Sequence, residues 1–164
     1  MSEIKGEDVD FKIIREDWNI YELSDKATLR IRVILAKVIK TGQYKPDGEP
    51  IYGLATTNYV TVKTPSELMG PPTVPSPKPE QIALSDMVEV DFEPKIENWN
   101  EYLLEDNTKL RIKLAVTKVR RSNFYDTMGY PIYHVDSSNL VSVSVPKNLK
   151  RKRPAPKPPT TPIA

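Results

Sequence analysis

The chain has no cysteine and only one histidine. Without thiols there is neither a disulfide framework nor a thiolate metal site. A metal centre or a Ser-His-Asp triad would rest on His134 alone, and no partner clusters around it in the sequence. The expectation is a surface strand histidine, with no catalytic, cofactor-binding or metal-binding residue and no small-molecule substrate. No apolar run is long enough to span a membrane, and the N-terminus lacks the pattern of a secretory signal, so the expected location is cytoplasmic. No window shows helical periodicity with caps. A surplus of one charge is missing too: 24 basic groups face 22 acidic ones.

What the chain has is a duplication. Val9 to Leu68 aligns without a gap with Val90 to Leu149, an offset of 81 residues, and 24 of the 60 positions are identical. Chance would leave only a few, so the period reflects two copies of one unit. At its centre Leu29, Ile31, Val33 and Leu35 alternate with Arg30 and Arg32, and the copy sets Leu110, Ile112, Leu114 and Val116 against Arg111 and Lys113. Period-two alternation with β-branched residues marks a half-buried strand. The run is long for a strand, which predicts a bend or bulge near Ala36 and Lys37.

Around this strand the pattern predicts others at Val9 to Ile13, Trp18 to Leu23, Ile51 to Thr56 and Asn58 to Lys63, repeated in the copy. Ser24 to Ala27 and Glu105 to Thr108 read as turns. Asp47-Gly48 reads as a hairpin turn. The copy keeps Gly129 but has Met128 before it, so glycine is the expected carrier of the positive φ. Five short strands with hairpin links and no helix predict an all-β fold of two tandem five-stranded antiparallel barrels. The SH3-like type is preferred over the oligonucleotide-binding type, which usually needs a helix.

The expected division is a first β repeat at 1–68, a proline-rich linker at 69–81, a second β repeat at 82–149 and a basic proline-rich tail at 150–164. The linker holds five prolines and predicts either an extended spacer or a strap along one unit. Residues 1–68 carry 10 basic and 11 acidic groups, residues 82–149 carry 8 and 10, and the tail carries five basic groups and no acid. Both repeats are mildly acidic, and the basicity sits in the tail.

The duplicated carboxylates Asp10 and Asp91, Glu16 and Glu97, Asp25 and Asp106 lack the flanks of an aspartic protease, and turn or cap bonding explains them. Trp18 and Trp99, with Tyr52 and Tyr133, form candidate partner-binding aromatics, of the kind that bind proline-rich peptides or stack bases; filling a small barrel explains them as well. Arg120 and Arg121 make the second repeat the better phosphate candidate. Lys150, Arg151, Lys152 and Arg153 form an arm suited to RNA, DNA or an acidic protein surface.

Trp18, Tyr21, Leu23, Leu29, Lys37-Val38 and Gly48-x-Pro50-Ile51-Tyr52 together resemble short archaeal proteins of about one repeat unit, for which no activity is assigned. The resemblance implies an archaeal source and carries no functional residue. The expected function is a non-catalytic interaction protein, a subunit or adaptor that meets protein partners in a larger assembly. The rival is association with nucleic acid or ribonucleoprotein through the tail and the second repeat.

Overall fold

The computed structural model describes residues 6–150. The first repeat forms β1 (Glu7–Val9), β2 (Phe11–Arg15), β3 (Asn19–Leu23), β4 (Thr28–Tyr44) and β5 (Pro50–Lys63). The second forms β6 (Met87–Val90), β7 (Phe92–Ile96), β8 (Asn100–Leu104), β9 (Lys109–Tyr125) and β10 (Pro131–Ser144). The fold is all-β, with two antiparallel five-stranded sheets.

Each sheet takes one strand from the other repeat. In the first, β4 pairs with β5, β3 and β1, and β3 pairs with β7 of the second repeat. In the second, β9 pairs with β10, β8 and β6, and β8 pairs with β2 of the first repeat. The crossing falls at the duplicated Val-Asp-Phe. Val9 pairs with Val38 of its own repeat, whereas Phe11, two residues on, pairs with Leu104 of the other. The Asp10 and Asp91 carbonyls, one at each crossing, accept the Glu105 and Ser24 N–H groups at 2.8 Å.

This arrangement corrects the expected tandem barrels. The sheets are open, and neither closes. The short strand that would seal its own sheet is bonded instead to the neighbouring repeat. One buried cluster holds nine apolar residues of the first repeat and eight of the second. Leu29, Ile31, Val33 and Leu35 of β4 and Leu110, Ile112, Leu114 and Val116 of β9 supply its two long rows, while Tyr21 and Tyr102 are fully buried. Swapped Phe11 meets Tyr102 edge-on at 5.8 Å, and Phe92 meets Tyr21 at 5.9 Å.

The 17-residue strands β4 and β9 bend as expected. The register skips Ala36 between Leu35 and Lys37, and Thr117 opposite the Asp136–Ser137 step. The two strands expected at Ile51 to Thr56 and Asn58 to Lys63 are one. Thr57 pairs with Ile34, so the ladder of β5 runs through. The tight turns behave as read: Lys26 and Asn107 take φ of 73° and 69°, and Gly48 and Gly129 take 89° and 88°.

A short helix also stands where none was expected. The linker ends in α1 (Pro79–Ala83), which starts at a proline and is closed by the Gln81 side chain accepting the Lys78 N–H at 2.9 Å. One turn is too short to give a periodic signal. The linker begins as a strap: Gly70 N–H donates to Gly129 O and Thr73 N–H to Asp126 O, both at 3.0 Å.

Candidate functional site

Two of the three duplicated carboxylate pairs, Glu16 with Glu97 and Asp25 with Asp106, are bolts between the repeats. Glu16 precedes β3 and its side chain is only 4% exposed. It accepts the Tyr102 hydroxyl at 2.7 Å, the Leu35 N–H at 3.3 Å and Arg32 at 3.4 Å. Its counterpart Glu97, with a side chain 22% exposed, accepts the Tyr21 hydroxyl at 2.6 Å and lies 3.4 Å from Lys113. Asn19 Nδ2 donates to Leu114 O at 3.2 Å and Asn100 Nδ2 to Val33 O at 3.0 Å, so each long strand is pinned by an amide from the other repeat.

A second pair of bolts uses the turn aspartates. Asp25 Oδ1 accepts the Ala27 N–H, as the turn reading requires, while Oδ2 accepts the Tyr133 hydroxyl at 2.6 Å and Arg121 at 2.9 Å. Asp106 does the same with the Thr108 N–H and the Tyr52 hydroxyl, at 3.0 and 2.6 Å. Burial, reinforced by the neighbouring carboxylate, pushes the phenols of Tyr21, Tyr102 and Tyr133 well above the ordinary tyrosine range and that of Tyr52 up to about 12. Burial would raise the Asp106 carboxyl, but hydrogen bonds from Tyr52 and Thr108, with the charge of Lys40, outweigh it and hold the group below its usual value.

These contacts commit the carboxylates to structure. Glu16→Ala leaves the Tyr102 hydroxyl and the Leu35 N–H buried without an acceptor, a loss of about 3 kcal/mol at ~1–3 kcal/mol per orphaned group. Glu97→Ala, at a wetter site, is expected to cost about 1 kcal/mol. Denaturant midpoints at unchanged m-value measure both.

The sequence candidates therefore separate. Tyr52 and Tyr133 are bolts. Arg121 is held by Asp25, and Arg120 Nη2 lies 3.6 Å from Asp136, so neither is an unengaged phosphate ligand. His134 is exposed on β10, with Nε2 3.0 Å from Asp136 Oδ1, and the described residues contain no metal-binding cluster. Lys150 lies 3.7 Å from Glu49. Arg151, Lys152 and Arg153 lie outside the described residues.

Trp18 and Trp99 are not core residues. Each lies half-buried on the outer face of its sheet under cations: Arg30 at 4.8 Å and Arg32 at 6.0 Å from Trp18, Arg111 at 4.6 Å and Lys113 at 5.9 Å from Trp99. Tyr59 stands beside Arg32 in register, and Leu140 beside Lys113.

Sequence reasoning expects contacts through exposed strand edges or aromatic surfaces but does not say which strands form the edges. Among the described strands β5 pairs only with β4, and β10 only with β9. The exposed apolar residues on these edge strands are symmetric: Tyr59 and Val60 are 52% and 45% exposed, their counterparts Leu140 and Val141 49% and 51%. Each edge also runs into an open cleft against the other repeat's hairpin. Val60 and Val62 share about 690 Å³ with Asp126, Tyr130 and Tyr133, and Val141 and Val143 share about 280 Å³ with Lys45, Pro50 and Tyr52. Of the identical pairs on these strands, Val62 and Val143 pack against the core, while Val60 and Val141 stand exposed.

Among the described residues no helix is long and apolar enough to cross a membrane. No protein-family model matches the chain, and comparisons with curated proteins and with solved structures returned no significant match.

Proposed function

We propose that this is a cytoplasmic, non-catalytic interaction protein, a subunit or adaptor that receives protein partners along the outer edges of β5 and β10. The observation that carries this reading is the pair of 14-residue strands bonded on one side only, each exposing apolar residues beside a cleft. Unpaired edges are templates for an added strand, in which main-chain bonds give affinity and side-chain pockets give specificity. The carboxylates that would serve a hydrolase are engaged by tyrosines, which supports a binding role over a catalytic one.

Affinity capture from native extract tests it, with nuclease treatment, using the full chain, a chain ending at Leu149 and a Tyr59→Glu/Leu140→Glu variant of the full chain. Nuclease-resistant partners are expected with the first two and not with the variant. Equal capture by all three would sink the edge reading.

One observation favours the rival. Trp18, Arg30, Arg32 and Tyr59 make a face of stacked aromatics and cations suited to nucleic-acid bases and phosphates, and Arg30 makes no ion pair among the described residues. Capture that nuclease abolishes and that falls steeply with salt would select this face or the tail.

A further inference from the structure

Each sheet also ends on its other side, at the exchanged strand. Among the described strands β2 pairs only with β8, and β7 only with β3. The two ladders are equivalent. Asp10 O and Asp91 O accept the Glu105 and Ser24 N–H groups, while the next N–H groups, those of Leu104 and Leu23, turn away to Thr108 O and Ala27 O. Antiparallel strands alternate bonded and non-bonded pairs. In β2 the main-chain groups of Phe11 and Ile13 therefore point out of the sheet, as do those of Phe92 and the Pro94 carbonyl in β7. Both strands then bulge, the register skipping Ile14 and Lys95.

The two edges differ in what they offer a further strand. β7 carries Pro94, which has no N–H, and then Lys95, whose Nζ lies 3.3 Å from Glu93 and 3.6 Å from Glu22. Proline and charge are devices that keep an edge from pairing again. β2 has neither at these positions. It carries Ile13 and Ile14, 56% and 60% exposed. The positions of Glu93 and Glu22 hold Lys12 and Leu103. Ile14 and Leu103 line a cleft of about 350 Å³ with Lys109 and Arg111. The shared fold requires none of this, since the copy builds the same ladder with a blocked edge.

We propose that the β2 edge takes up an extended segment of a protein partner in which one acidic residue lies between two apolar ones. The outward groups of Phe11 and Ile13 supply the main-chain bonds. Side chains on neighbouring strands meet on a shared face, and this sets the chemistry. Phe11 packs on the core and Ile13 stands opposite buried Tyr102, so both call for apolar neighbours. Lys12, between them, faces the other way and makes no ion pair among the described residues, so it calls for a carboxylate. A second copy fits less well. β2 against β2, with Phe11 bonded to Ile13 in both directions, would set Lys12 against Lys12. This edge lies outside the β5 and β10 reading, and neither depends on the other.

The copy supplies the test variant. Ile13→Pro removes the outward N–H and spares the bonds to β8, and the fold already holds proline at the equivalent position, Pro94. The probe is a soluble peptide with the core Thr-Val-Glu-Val-Thr, titrated into isotope-labelled full chain. Amide shifts are expected at Phe11 to Arg15 and not at Phe92 to Ile96. Ile13→Pro, in a chain of unchanged circular dichroism, should weaken this binding by about tenfold, the effect of losing one main-chain bond and leaving its acceptor unpaired. Lysine in place of the peptide's glutamate should weaken it by about threefold. Tyr59→Glu/Leu140→Glu should leave the β2 shifts unchanged, which separates this edge from β5 and β10. No shift at β2, equal shifts at β7, binding undiminished by Ile13→Pro, or no preference for glutamate over lysine would each overturn the proposal. So would a concentration-dependent dimer of the parent that Ile13→Pro abolishes, because the occupant would then be a second copy.

Discussion

Residues 1–81, expressed alone, are expected to yield no folded monomer. In the intact chain the first repeat's β2 is bonded to β8, its β3 to β7, and its nine core residues pack against eight from the second repeat. If separation exposes half the buried surface of those nine at about 2 kcal/mol each, the loss is about 9 kcal/mol. That is the size of a whole domain's stability, about 5–15 kcal/mol. The carboxylate-tyrosine bonds between repeats are lost as well.

The same geometry names the state that replaces the monomer. Every bolt has its counterpart within one repeat. Glu16 would accept the Tyr21 hydroxyl of a second copy, Tyr52 would reach its Asp25, and β2 would pair with its β3. The half chain should therefore form a strand-exchanged twofold dimer. Light scattering after gel filtration gives the mass, and an amide correlation spectrum reports whether it is folded. A dispersed spectrum at monomer mass, unchanged on dilution, would show that each repeat closes by itself and that the exchange is dispensable.

Much of the secondary structure is legible in the sequence because its causes are local. Alternation of Leu29 to Leu35 with Arg30 and Arg32 marks β4, its excessive length marks the bulge at Ala36, and glycine marks the positive φ at Gly48 and Gly129. The partner of β2 is not local. Phe11 to Arg15 reads alike whether it pairs with β3 or with β8, so the exchange leaves no trace in periodicity. The available clue lies in which polar residues both copies keep. Glu16, Asn19, Tyr21 and Asp25 recur unchanged, and each proves to bond across repeats. Asp25 shows how a correct reading fell short. It caps its turn through one oxygen, and local reasoning says nothing about the second. The edges of β5 and β10 were hidden for a similar reason, since alternation assigns a face to a side chain but does not say whether a neighbouring strand exists.

Between pH 10 and 12 stability is expected to fall steeply, because the bolts titrate through their tyrosines. An unfolded tyrosine loses its proton near pH 10. In the native state burial and an adjacent carboxylate hold the phenols of Tyr21 and Tyr102 protonated well above that. Their folded values are raised, so the stability they contribute is fully present below pH 10 and is lost as pH rises toward the folded values. Above pH 10 the unfolded chain binds fewer protons than the native one, and stability drops by ~1.4 kcal/mol per pH unit for each such group. The fully buried pair accounts for about 3 kcal/mol per unit; half-buried Tyr52 and Tyr133 add less. Lysine titration in the same range is common to parent and variant, so the difference between them isolates the phenols. Tyr21→Phe/Tyr102→Phe should lose about 2–4 kcal/mol at pH 7, where Glu16 and Glu97 lose a donor, yet show an alkaline slope shallower by about 3 kcal/mol per unit. Urea melts at half-unit steps from pH 9 to pH 12 measure both. A parallel fall in parent and variant would mean that the phenols ionise in the folded chain as they do in water, and hence that the two sheets open at this interface in solution.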